Sequence, residues 1–107
     1  MRKPIWISYD LGIKGDYEGL YAWLDEHGAK ECGDSLAFLK YETDNEDRLI
    51  DQVTTDLSNA LSLGKKERIY MVWLQGDQIK GRFLFGSRRA SPWIGFGPEN
   101  GVVEEDY

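Results

Sequence analysis

The chain has 107 residues, 41% hydrophobic and 13% aromatic, with 19 acidic side chains against 13 basic ones and a net charge of -6. That length suits one domain, and the apolar fraction excludes a disordered chain. The acidic balance weighs against nucleic acid as a partner, because neutralising phosphates takes clustered Lys and Arg.

From the N-terminus, MRKPIWISYD holds too short an apolar segment for a secretion signal, and no run approaches the roughly 20 residues that span a bilayer. A cytoplasmic protein without membrane attachment is the expectation. Lys3 to Tyr9 are dense in Ile, Trp and Tyr, with Ile5, Ile7 and Tyr9 alternating with Trp6 and Ser8, the pattern of a strand with one apolar face. Asp10 stands at the end of that strand. LGIKGDYEG then supplies a glycine loop and Asp16 as the N-cap of a helix whose core stripe is read as Tyr17, Leu20, Tyr21 and Leu24, ending at Gly28.

AKECGDSLAFLKYE reads as a hairpin turning at Gly33-Asp34, with Leu36, Phe38 and Leu39 of its second strand packing inward. Cys32 is the sole cysteine, which excludes an internal disulfide or a cysteine metal cage and fits a reducing compartment. Thr43 and Glu46 have capping-box spacing, with Asn45 as the alternative cap, ahead of a helix running to about Leu63. Its buried face is read as Leu49, Ile50, Val53, Leu57, Ala60 and Leu61. RIYMVWLQ and QIKGRFLFG flank Gly76-Asp77 and spell a second hairpin.

After Gly86 the periodicity lapses. SRRASPWIGFGPENG gathers glycine and proline around Trp93, Ile94 and Phe96, large apolar groups that need a surface to cover them. Pairing with a second copy would bury them and cover a sheet edge, giving a symmetric dimer; folding back onto the open face of the same sheet is the alternative. The tail carries Glu99, Glu104, Glu105 and Asp106 without a basic residue, so the body before it has a formal charge of only -2 and room for a basic patch. Arg88 and Arg89, with Arg82 and beside Trp93 and Phe96, are the candidate nucleic-acid contacts, since guanidinium pairs with phosphate and aromatic rings stack on bases. Solvated surface is the ordinary alternative for adjacent arginines. The lone His27, at a helix end, suits capping better than catalysis.

The element order is strand, helix, strand, strand, helix, strand, plus one more strand. It predicts an α+β, ferredoxin-like βαββαβ domain over residues 1–86, with an added C-terminal strand, and an aromatic arm and acidic tail over 87–107. The strand ending ISYDL, the loop and helix after it, and the strand GDSLAFL resemble the small ferredoxin-like subunit of CRISPR spacer acquisition and its relatives, the virulence-associated protein D toxins. The resemblance implies that Asp10, matching the acidic residue at the end of the first strand, is a catalytic metal ligand brought together with its copy across a dimer. Mg²⁺ held there would activate water against a phosphodiester. Other members act as structural, nucleic-acid-binding adaptors. Chemistry alone offers Asp10 a plainer role, satisfying loop amides.

Three readings follow in rank order. First is a noncatalytic, homodimeric interaction module with no required cofactor, its partner a protein or, against the charge, nucleic acid. Second is a Mg²⁺-dependent endonuclease using Asp10 from two protomers. Third is a small-molecule sensor.

Overall fold

Strand β1 (Arg2–Asp10) lies at the centre of a five-stranded antiparallel sheet, and the alternation of its side chains sets which face each neighbour presents. A computed structural model describes residues 1–98 of the chain; the acidic residues Glu99, Glu104, Glu105 and Asp106 lie outside the described residues. In chain order the remaining elements are α1 (Tyr17–Glu26), β2 (Lys30–Gly33), β3 (Leu36–Glu42), α2 (Leu49–Ala60), β4 (Arg68–Gln75) and β5 (Gln78–Phe85). The sheet order is β2-β3-β1-β4-β5, so the protein is a small mixed α/β domain of one antiparallel sheet and two helices. No helix among the described residues is long and apolar enough to cross a membrane.

The helices cover one face. Ile5 and Ile7 of β1 are fully buried with Leu39 of β3, Ile69 and Met71 of β4, and Leu20, Val53 and Leu57 from the helices. Each such aliphatic chain removed from water stabilises the fold by about 1.5–3 kcal/mol. Asp16 caps α1 as expected, accepting from Gly19 N–H at 2.9 Å, and its second oxygen accepts from Ser62 N–H at 2.9 Å just beyond α2. One carboxylate therefore ties both helices together. They touch closely here, since a methyl group on Gly19 would stand 3.0 Å from the Ala60 carbonyl oxygen.

Four expectations are corrected. In β3 it is Ala37, Leu39 and Tyr41 that face the helices, while Leu36 and Phe38 are half-buried on the other face. The pairing Ile5↔Leu39 and Trp6↔Phe38 imposes this phase. In α1 the buried residues are Leu20, Trp23 and Leu24, and Tyr21 is 53% exposed, its ring edge-on to Tyr9. Before α2 the capping box does not form. Thr43 is buried and hydrogen-bonds Gln52, Glu46 pairs with Lys3 at 3.2 Å, and Asn45 caps the short 3₁₀ turn Glu46–Arg48 that leads into α2. The helix ends at Ala60, whose side chain is exposed, rather than near Leu63.

The second hairpin turns at Gly76, whose φ of +64° suits a residue without a Cβ. Leu84 is an extra residue in β5: Tyr70 pairs with Phe83 but Ile69 pairs with Phe85. Gly86 follows with φ +78°, and a methyl group there would stand 2.5 Å from the Glu67 carbonyl oxygen. Only glycine lets the chain turn back so tightly past the start of β4, which brings the arm to the sheet corner at Arg68.

Candidate functional site

The face of the sheet opposite the helices has no covering layer among the described residues. Strand alternation and pairing place Trp6 beside Phe38 and Val72, and Ser8 beside Leu36 and Tyr70, with Phe83 next to Tyr70 on β5. Trp6 and Phe38 rings meet at 5.0 Å and Tyr70 and Phe83 at 4.8 Å, edge to face. These four aromatics are half-buried and together form a platform. In a two-layer domain the apolar face of a sheet ordinarily packs on something.

Charge is sorted between the two faces. From Asp16 to Gly28 the chain carries Asp16, Glu18, Asp25 and Glu26 with no basic residue, and from Thr43 to Ala60 it carries Asp44, Glu46, Asp47, Asp51 and Asp56 against Arg48 alone. The helical layer is thus strongly acidic. On the open face, register and alternation place Arg2, Lys30 and Lys40 at one end and Arg68 at the other. The carboxylates at strand positions of that face, Glu42 and Asp10, are both engaged by cations: Glu42 by the N-terminal ammonium at 2.8 Å and Asp10 by Arg68.

Asp10, half-buried at the end of β1, accepts from Arg68 Nη2 at 3.0 Å and from Gly12 N–H at 3.2 Å, and Arg89 Nη1 stands 3.9 Å away. The Arg68 hydrogen bond, with the Gly12 amide behind it, holds its carboxyl below the usual range. Its first bond is thus to a guanidinium, with the loop-amide role alongside. No group of three or more His, Cys, Asp or Glu side chains placed to hold a metal ion occurs among the described residues. The ion pair is partly open to water, so it contributes only about 0–1 kcal/mol to stability.

Around this pair Arg88, Arg89 and Trp93 converge, while Ile94 and Phe96 line neither of the cavities there. Arg88 lies with its guanidinium 5.9 Å from the Phe83 ring centroid, and Arg89 Nη2 donates to the Lys66 carbonyl at 3.4 Å. A cavity of about 240 Å³ lined by Ser8, Asp10, Arg68, Tyr70, Phe83 and Arg88 adjoins one of about 470 Å³ that Arg68, Phe83 and Arg88 share with Arg89 and Trp93. Arg82 is elsewhere: opposite Met71, it belongs to the helix side of the edge strand. Trp93, Ile94 and Phe96 are 71%, 67% and 86% exposed in a turn closed by Ile94 N–H to Ser91 O and Phe96 N–H to Trp93 O. The arm therefore does not fold back to cover the platform.

Sequence reasoning, although its sensor reading invoked an aromatic sheet face, did not identify Trp6, Phe38, Tyr70 and Phe83 as that surface, and missed Arg68 as the partner of Asp10. The signal for the first was present in IWI and IYMVW, where the residues between the buried ones, Trp6, Tyr70 and Val72, are also large and apolar. The second spans 58 residues and had no local signal. His27 lies at the other side of the domain, where its ring packs on Trp23 and its Nδ1 faces the Trp23 carbonyl at 2.8 Å. Cys32 is exposed on the edge strand β2. No protein-family model, no curated protein and no solved structure matches the chain.

Proposed function

We propose that the protein is a noncatalytic interaction module that binds single-stranded nucleic acid on its open sheet face. One observation carries this reading: the aromatics Trp6, Phe38, Tyr70 and Phe83 share a face with Arg68, Arg88, Lys30 and Lys40, while most acidic residues lie along the helical layer behind and the face's own Asp10 and Glu42 are each paired with a cation. Bases stack on aromatic faces whatever their identity, and cations beside them follow the backbone. The net charge of -6 is then no obstacle, because the field at the platform is set by the nearest groups.

The strand order supports a ferredoxin-like reading, with β1 between β3 and β4, β2 outside β3, and β5 added beyond β4. It keeps open the resemblance to the CRISPR-associated adaptor subunits. The second reading, a Mg²⁺-dependent nuclease built on Asp10, needs a carboxylate free to ligate, and here Asp10 is held by Arg68. A homodimer is supported by the exposed Trp93, Ile94 and Phe96, whose burial between two copies would leave the platform accessible.

The deciding measurement mixes the protein with labelled single-stranded RNA, single-stranded DNA and duplex DNA, with Mg²⁺ and with chelator, beside Asp10→Asn. The expected result is metal-independent binding of intact single strands that weakens in Phe83→Ala. Metal-dependent cleavage lost in Asp10→Asn would replace this reading by the nuclease. Absence of binding at low salt would leave a protein partner or a second copy as the occupant of the face.

A further inference from the structure

We infer that the Arg68 corner is a phosphate subsite in which Asp10 acts as a resident anion, so that a phosphate enters by displacing the Asp10 carboxylate from Arg68. The inference rests on the nucleic-acid reading and adds to it where the backbone docks and which residue regulates that docking.

The geometry of one guanidinium carries the argument. Nε and Nη2 form the side-on edge through which arginine takes an oxyanion with two parallel hydrogen bonds. Asp10 accepts from Nη2 at 3.0 Å, whereas Arg68 Nε is buried and has no hydrogen-bond partner among the described residues. A buried donor left unpaired is costly, and native structures rarely keep one without a reason. The carboxylate thus fills half of a fork. It cannot readily shift to fill the rest, because its other oxygen is held by the Gly12 amide at 3.2 Å. A tetrahedral phosphate has no such tether and has oxygens enough for both nitrogens and for a second cation.

The second cation is at hand. Arg88 lines the same cavity, and Arg89 Nη1, 3.9 Å from Asp10, is close to the exchange point without a tight bond to the carboxylate. The approach is also open, since the cavity of about 470 Å³ on the arm side shares Arg68 and Arg88 with the one beside Asp10. Phe83 borders both, so a base next to that phosphate would have a ring to stack on. With Asp10 in place the corner has a reduced positive charge, which screens out weak monovalent anions and admits a polyanion.

The test measures affinity for two probes, tripolyphosphate and a short single-stranded RNA, in the wild type, in Asp10→Asn and in Asp77→Asn. Asp77 lies in the β4–β5 turn and supplies the same change of net charge far from the corner. Asp10→Asn is expected to bind both probes about three- to tenfold more tightly, the size of a surface ion pair, and Asp77→Asn to change by less than about twofold. Equal effects of the two substitutions, or weaker binding by Asp10→Asn, would overturn the proposal. A readout on the unaltered protein guards against a variant that fails to fold: tripolyphosphate should shift the NMR signal of Arg68 Nε–H, and an unmoved signal at saturation rejects the subsite. RNA binding without that response would leave the sheet-face reading intact and remove the subsite. Tripolyphosphate binding with the response but no RNA binding would do the reverse.

Discussion

The two faces of the sheet are built from the same strands yet solve different problems. On the helix side, Ile5, Ile7, Leu39, Ile69 and Met71 are branched or flexible aliphatics packed out of water. On the open side the same strands carry Trp6, Phe38 and Tyr70, flat and half-exposed, with cations at the margins. Aliphatic chains fill volume, and a core needs volume filled. Planar rings also offer area, and where no described residue covers them, as on the open side, that area is left for a partner. The difference teaches that hydrophobic content in a strand does not by itself identify the core, and neither does side-chain shape, since Tyr41 and Trp73 are buried on the helix side; strand register is what separates packing from presentation.

Neighbours in one strand give the sharpest test of that contrast. Ile7→Ala should lower unfolding stability by about 2–5 kcal/mol, measured by denaturant melts, because it opens a cavity under both helices. Trp6→Ala should cost clearly less stability and should instead weaken RNA binding; a larger stability loss for Trp6 than for Ile7 would mean that the platform is a second core. Phe83→Ala comes next, with a loss of about 1–3 kcal/mol in binding for a stacked base and a melting temperature that barely moves. Titration of binding with salt should accompany it, with log K falling by about 0.7 per phosphate neutralised for each unit of log salt. A flat salt profile would argue that the arginine corner takes no part.

A fourth substitution probes the closed side. In an ordinary exposed helix Gly→Ala gains about 0.5–1 kcal/mol. Gly19→Ala should instead destabilise, by about 1 kcal/mol, because the new methyl group meets the Asp16 carboxylate at 2.5 Å and the Ala60 carbonyl at 3.0 Å. A gain in melting temperature would show that the helices can part there at no penalty.

The smallest expected effect is in acid. Asp16 is held below the usual carboxylate range by the Ser62 and Gly19 amides, and Asp10 by Arg68 and the Gly12 amide. A carboxyl whose folded pKa is depressed contributes stability that is full above its ordinary pKa and is lost as pH falls through the folded value. Asp16→Asn and Asp10→Asn should therefore each flatten the fall of stability with acid, Asp16→Asn more, since its carboxylate joins two helices. Parallel acid profiles for wild type and both variants would contradict this assignment.

Much of the fold was legible because its signals are local. Asp16 caps α1, Gly28 ends it with φ +65°, and Gly76-Asp77 turns the second hairpin, each within a few residues of its effect. What escaped was decided at a distance. The inward face of β3 depends on pairing with β1, so a reading of β3 alone puts Leu36 and Phe38 on the wrong side. The Thr43 capping box lost to the N-terminus, whose Met1 carbonyl accepts from Thr43 N–H at 2.9 Å, and to Lys3, which draws Glu46 away. For the candidate site, Arg88, Arg89 and Trp93 could be singled out by composition. Their grouping with Asp10 required the β4 strand to bring Arg68 alongside and Gly86 to turn the arm back, and neither is written in a short motif.

Gly81 gives the open face one further property. A methyl group on it would come within 2.6 Å of the Tyr70 hydroxyl and 2.8 Å of the ring, so the phenol rests over a position where β5 has no side chain. Glycine weakens an edge strand, but here its absence of bulk works as a mould: it lets the ring recline along the sheet rather than stand upright from it. The relief of the surface is thus written partly in what one residue lacks, and Gly81→Ala, by tilting a single ring, offers a way to roughen that landscape without adding or removing any charge.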